Sequence, residues 1–157
     1  MAKLVSDHYP VVFRFCARRI GLELAKDAAQ ETFITAQRRL NKFENRSSMS
    51  TWLLGIAQNH CRNLARKKKV EFRFSECWQT TTSSSESGLI DLAALRTALL
   101  QLSVEHREAV VMHEIEGLTY EEIAEILNVP SGTVKSRLHH AFENLRKALS
   151  PRTEVLA

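Results

Sequence analysis

Two stretches of this chain space polar and cationic side chains in a way that could grip a polyanion. Residues 131–140 read Ser-Gly-Thr-Val-Lys-Ser-Arg-Leu-His-His. On a helix, Val134, Leu138, Ala141 and Leu145 recur at spacings of 4, 3 and 4 and form one apolar stripe. Lys135, Ser136, Arg137, His139 and His140 then fall on the other face, with Ser131 and Thr133 at its start. Lys or Arg can bond a guanine edge, and hydroxyls and helix-start N–H groups can hold phosphate. The second stretch runs from Asn59 to Lys69. Asn59 and Asn63 lie four apart and share a helix face. An amide both donates and accepts, so it can match the edge of an extruded base. Arg62, Arg66, Lys67, Lys68 and Lys69 follow as a cationic run suited to phosphate. The competing readings are plain surface amides and a basic helix end favoured by the helix dipole.

The elements that must hold the first stretch are written around it. Thr119 with Glu122 is a capping-box pair that starts a helix. Ile123, Ala124 and Leu127 make that helix apolar on one side, while Glu121, Glu122 and Glu125 make it acidic on the other. Asn128 sits where a turn needs positive φ. Pro130 stops continuation, and Ser131 is expected as the N-cap of the second helix. This is a helix-turn-helix with an acidic scaffold helix and a basic reader helix, the arrangement in which the second helix enters the major groove. The competing reading is an αα-hairpin in a bundle.

Bulk properties narrow the class. The chain has 157 residues, enough for one domain or two small ones, and its net charge is +4. That figure hides an asymmetry: residues 1–70 carry a net +9, residues 71–88 a net −2 and residues 89–157 a net −3. A basic N-terminal half suggests nucleic acid as partner. No apolar run is long enough for a bilayer span, and no signal core opens the chain, so a cytoplasmic protein without membrane insertion is expected. The three cysteines, Cys16, Cys61 and Cys77, are odd in number and scattered, which favours reduced thiols. No metal-ligand spacing is present, so neither metal nor cofactor is expected. No phosphate loop, HExxH or nucleophile elbow appears, and an enzyme is not expected.

The expected fold is all-α: two small helical domains, residues 1–70 and 89–157, joined by a flexible linker over 71–88. Residues 79–88 are hydroxyl-rich and cannot bury apolar area. Helices are expected over residues 4–20, with Gly21 as stop, and from Asp27 to Leu40, with Ala28, Ala29, Phe33, Ile34, Ala36 and Leu40 as apolar positions. Residues 41–48 read as a loop. A third helix, capped by Ser50 or Thr51, places Trp52, Leu53, Ile56, Ala57 and Leu64 inward. Residues 89–102 and 106–115 supply two more helices before the helix-turn-helix.

The segment Asp27-Ala28-Ala29-Gln30-Glu31-Thr32-Phe33, then Phe43, then Trp52-Leu53-Leu54-Gly55-Ile56-Ala57-Gln58-Asn59 and the basic run resembles the promoter-melting domain of bacterial sigma-70-type initiation factors. Leu99 through Arg107, Gly117, Glu122-Ile123-Ala124 and Gly132-Thr133-Val134-Lys135-Ser136-Arg137 resemble the domain that reads the −35 element. Two such domains and nothing else is the plan of the extracytoplasmic-function (ECF) subfamily. Gln37, Gln58, Ser103 and His140 depart from the family's usual aromatic, Arg, Pro and Arg. The resemblance implies core RNA polymerase and promoter DNA as partners, with an anti-sigma factor for many members. It implies that Asp27, Gln30, Glu31, Phe33 and Arg38 dock on a coiled coil of core polymerase. It implies that Phe43, Asn59, Asn63, Arg62, Arg66, Lys67, Lys68 and Lys69 contact the −10 element. Ser131, Thr133, Lys135, Ser136, Arg137, His139 and His140 would contact the −35 element. The runner-up function is a helix-turn-helix regulator that does not engage polymerase, which leaves the matches in the first half unexplained.

Overall fold

The computed structural model describes residues 1–68 and 92–150. The expected linker, Lys69 and Cys77 therefore lie outside the described residues. Three helices make the first half: α1 (Ala2–Ile20), α2 (Leu22–Arg39) and α3 (Met49–Lys68). Gly21 ends α1 with φ 83°, a conformation that favours glycine. That one residue turns the chain, so α2 begins at Leu22 rather than at Asp27, which lies exposed inside it. A short 3₁₀ turn, Leu40–Lys42, follows α2. The cap of α3 also differs from expectation. Ser48, not Ser50 or Thr51, accepts the Thr51 N–H at 3.1 Å.

Small residues let these helices approach closely. Ala25, Ala28, Ala29, Ala36 and Ala57 are fully buried among Val12, Phe15, Ile20, Phe33, Leu53 and Leu54. Cys16 and Cys61 are free thiols with no exposed surface. Contact with Cys61, then burial, pushes the Cys16 thiol far above its usual range, so it packs as an uncharged core group. Ile34 and Leu40 correct the apolar assignment: each is 41 % exposed.

The second half comprises α4 (Leu92–Gln101), α5 (Val104–Val110), a π-helical turn (Val111–Ile115), α6 (Tyr120–Leu127) and α7 (Ser131–Leu149). Ser103 caps α5 by accepting the His106 N–H at 3.2 Å, which starts that helix earlier than expected. Arg107 reaches back to the carbonyl oxygens of Leu99, Leu100 and Leu102, at 2.9, 3.0 and 3.0 Å. These carbonyls lie at the end of α4, where the Leu99 oxygen also accepts the Leu102 N–H at 3.2 Å. The Thr119–Glu122 capping box forms in both directions. Asn128 takes φ 54°, ψ 49°. Pro130 rather than Ser131 occupies the N-cap of α7, and no side chain caps that helix. Val134, Leu138, Ala141 and Leu145 are buried as their spacing requires.

The described residues are all-α, in two halves. The halves are not apart, however. α6 packs across α3, and one continuous apolar core runs through both.

His60 on α3 gives the first half a pH signature. Its Nε2 lies 2.8 Å from Thr35 Oγ1 on α2. Burial lowers its pKa below the ordinary 6.5. The unfolded chain therefore takes up a proton that the folded imidazole refuses, so stability falls as pH drops below about 6.5 and levels off below the folded pKa. The thermal midpoint should decline over that window in the wild type. His60→Gln should flatten that part of the profile; an unchanged slope would assign it to other groups.

Candidate nucleic-acid interface

On α3, Asn59 and Asn63 are exposed one helical turn apart, as are Arg66, Lys67 and Lys68 at the helix end. The negative end of the helix dipole favours the cations there. Arg62 stands apart from this group. It is half-buried, and its Nη2 donates to Glu108 Oε2 at 3.2 Å. Phe43 is half-buried against Trp52, ring centroids 5.0 Å apart and tilted by 40°. This pair anchors the start of the loop to α3, and Ser48 anchors its end. Between them, Asn45 has φ 53° and exposed Arg46 pairs with Glu44 at 2.7 Å.

A groove of about 400 Å³ joins these residues to the helix-turn-helix. One wall is Thr51, Trp52, Gly55, Ile56, Asn59 and Arg62; the other is Glu125 to Asn128. The sequence does not show that the candidate melting helix and the helix-turn-helix share a surface.

The open face of α7 carries Lys135, Ser136, His139 and His140, all exposed. Lys135 Nζ lies 5.9 Å from the Tyr120 ring centroid. His139 and His140 lean toward Glu143 at 3.7 and 3.8 Å, and the His140 ring stacks near His106. Arg137 and Thr133 are on the flank. Arg137 is half-buried and its Nη2 lies 3.7 Å from Glu105. This weak pair leaves Lys135 as the more exposed cation of the two. Ser131 is half-buried in the first turn.

On α2, Asp27, Gln30, Glu31 and Arg38 are exposed and share an outer face with Ile34. Phe33 does not. It is 7 % exposed and stacks on Tyr9, ring centroids 6.1 Å apart, so its side chain belongs to the core. Ile34 is the apolar group presented outward in its place. The 30–34–38 spacing carries that signal, although an apolar residue in a helix reads first as core.

Gln58 and Arg19 are the residues that sequence reasoning left without a role. Neither has exposed surface. Arg19 Nε donates to Gln58 Oε1 at 2.9 Å, and Gln58 Nε2 donates to Glu108 Oε1 at 2.7 Å. Arg19 also grips Glu116 through two nitrogens, at 2.8 and 3.2 Å.

Comparison with known proteins gives a consistent picture. The family model for sigma-70 region 2 matches residues 4–71, and that for sigma-70 region 4 matches residues 92–145. RNA polymerase sigma factor YlaC of Bacillus subtilis is 35 % identical, covering 96 % of this chain and 92 % of the relative. The ECF RNA polymerase sigma factor SigW of the same organism is 32 % identical, covering 94 % and 88 %. Among solved structures, the sigma factor RpoE in complex with the anti-sigma factor NepR from Bartonella quintana matches with TM-score 0.63. It is 27 % identical, covering 89 % of this chain and 90 % of that one. CnrH in complex with the cytosolic domain of CnrY matches with TM-score 0.66 at 25 % identity, covering 94 % and 86 %.

Lys135 is exposed on the open face of α7, and Lys68 is exposed at the end of α3. Lys135→Ala should cost about 1–3 kcal/mol on a preferred −35 duplex and far less on a scrambled one. Lys68→Ala should weaken binding to every sequence by a similar factor and reduce the salt slope by about one. Titrations of both duplexes across a salt series measure this; equal losses for Lys135→Ala on both would reduce it to a phosphate contact.

Proposed function

The chain belongs to the sigma-70 family of RNA polymerase sigma factors, in its ECF branch, and from that premise we propose which residues make each contact of a transcription initiation factor. The outer face of α2 docks on core polymerase through Gln30, Glu31, Ile34 and Arg38, with Asp27 at its edge. The combination of one exposed isoleucine with flanking charges supports this, because an apolar contact ringed by polar groups is the usual anatomy of an interface. Residues 1–70 act on the −10 element. Asn59, Asn63 and the loop from Phe43 hold an extruded base, while Arg62 and Arg66 to Lys69 hold the strand's phosphates. Residues 89–157 read the −35 element through Lys135, Ser136, His139 and His140, with Arg137 and Thr133 on the flank. Ser131 and the N–H groups of Ser131 and Gly132 at the start of α7 hold a phosphate.

The carrying observation is that one chain presents two separate cationic helices, α3 and α7, beside a third exposed helix face without a partner. A regulator that only bound an operator would need α7 alone. The reading is of a binding protein with no catalytic residues, acting in the cytoplasm where the chromosome lies. An anti-sigma factor, the partner of the Bartonella relative, is proposed as a third ligand.

Core polymerase titrated with labelled protein tests the docking face. Glu31→Ala and Ile34→Ala should each weaken binding by roughly five- to thirty-fold, the equivalent of about 1–2 kcal/mol. Phe33→Ala should instead lower stability by about 3–5 kcal/mol through its cavity. Full affinity in both surface variants would move the docking face elsewhere, and absence of initiation with core polymerase on a promoter library would favour the operator-binding alternative.

A further inference from the structure

Three imidazoles form a row across the face assigned to the −35 element. His139 and His140 stand side by side on α7, ring centroids 5.6 Å apart. His140 in turn stacks near His106 of α5, centroids 6.2 Å apart and planes inclined by 22°. His139 and His140 keep 70 % and 58 % of their side-chain surface exposed, so a phosphate can reach both rings. His106 is half-buried beside them.

The groups around the row leave it without a fixed charge. On α7, Lys135 and Arg137 are cations, and the Glu143 carboxylate lies 3.7 Å from His139 and 3.8 Å from His140. On α5, Glu105 lies 3.7 Å from Arg137. Arg107 and Glu108 point inward, to the α4 carbonyls and to Gln58 and Arg62. α4 brings Arg96, the last turn of α7 brings Arg146 and Lys147, and α6 brings Glu121, Glu122 and Glu125. Tyr120 of α6 lies beside Lys135 rather than beside the imidazoles. From Lys135 to Glu143, with Glu105 included, two fixed cations meet two fixed carboxylates. The face therefore has no net charge while its imidazoles are neutral.

We propose that this histidine row makes promoter reading proton-dependent: His106, His139 and His140 take up protons as the −35 duplex binds, so affinity rises as pH falls. The proposal rests on the assignment of α7 as the −35 reader. Imidazole is the side chain whose ordinary titration range crosses physiological pH. A phosphate a few ångströms away favours its charged form. Protons are then held more tightly in the complex than in the free protein, and by linkage a lower pH strengthens the complex. Stacking sharpens the effect. Two charged rings at this distance repel, so in the free chain His106 and His140 resist a second proton. A phosphate over the pair offsets that repulsion. Glu143 also favours the charged form, but it is exposed and beyond hydrogen-bond distance, so water screens it. Arginines in these places would give the face a constant charge. His60 acts separately: its burial opposes protonation and bears on stability, whereas the row bears on binding.

Holoenzyme made from the full chain and core polymerase, titrated onto a promoter duplex at about pH 8 and about pH 6, tests this. The parent should bind about ten-fold more tightly, or better, at the lower pH, the equivalent of about one unit of pKa shift summed over the row. Its salt slope should steepen by about one for each imidazole that meets a phosphate. The triple variant His106→Gln, His139→Gln, His140→Gln keeps polar side chains that do not titrate, and retains His60. Its affinity should change by less than about two-fold over the same range. His140→Arg, a permanent cation at one position, should bind roughly three-fold or more tighter than the parent at the higher pH. Parallel pH profiles for the parent and the triple variant would overturn the proposal, as would no gain from His140→Arg. A parent that prefers its −35 sequence but shows no pH response strikes this inference alone. Equal binding to matched and scrambled −35 duplexes at both pH values removes the −35 reading and the inference with it.

Discussion

A guanidinium with no exposed surface governs this structure. Arg19 cannot shed its charge, so every nitrogen that loses water must find an acceptor. It finds Gln58 on α3, the Phe15 carbonyl at 2.9 Å on its own helix, and the Glu116 carboxylate from the other half. Its plane lies over the Phe15 ring, 3.3 Å from the centroid. Removing one partner from such a buried pair typically costs about 3–5 kcal/mol, because the remaining charge stays stranded. The positions of α1, α3 and the segment after the π-helical turn are thus coupled through one side chain. Gln58 suits this junction because an amide can accept from Arg19 with its oxygen and donate to Glu108 with its nitrogen. An arginine there, the family's frequent choice, would face the Arg19 cation.

The same economy explains what is left outside. The apolar stripes of α1, α2 and α3 pack on one another, those of α5, α6 and α7 do likewise, and α3 against α6 joins the two sets in one core. What remains on α2, on the end of α3 and on the open face of α7 is charged or polar. Ile34, Leu22 and Leu40 are apolar exceptions on or beside α2. The faces assigned to core polymerase, the −10 strand and the −35 duplex are therefore largely those that helix packing did not use.

Local features were legible in the residues. The capping box at Thr119 and Glu122, the left-handed turn at Asn128 and the buried stripe from Val134 to Leu145 are interactions within a few positions, and periodicity or propensity reports them. The outward placement of Asn59, Asn63, Lys135 and Ser136 follows from the same 3.6-residue repeat. Boundaries were less legible. α2 starts at Leu22 because the positive φ at Gly21 makes the turn unaided, and α3 takes Ser48 as its cap although Ser50 and Thr51 offer the same chemistry. Phe33 and Ile34 are adjacent and both apolar; only the direction of α1, with Tyr9 against it, decides which one is buried.

The sequence by itself determined an all-helical chain, a helix-turn-helix with a basic reader face, and a second basic helix end, because each of these is a short-range pattern of charge and apolar spacing. Tertiary structure alone decided that the halves dock, that Arg62 faces Glu108 rather than solvent, and that Arg19 and Gln58 form their junction. Those contacts join residues 39 to 97 positions apart. An arginine on a helix reads as a solvated charge until another part of the chain removes its water, and no local pattern records which distant carboxylate will do so.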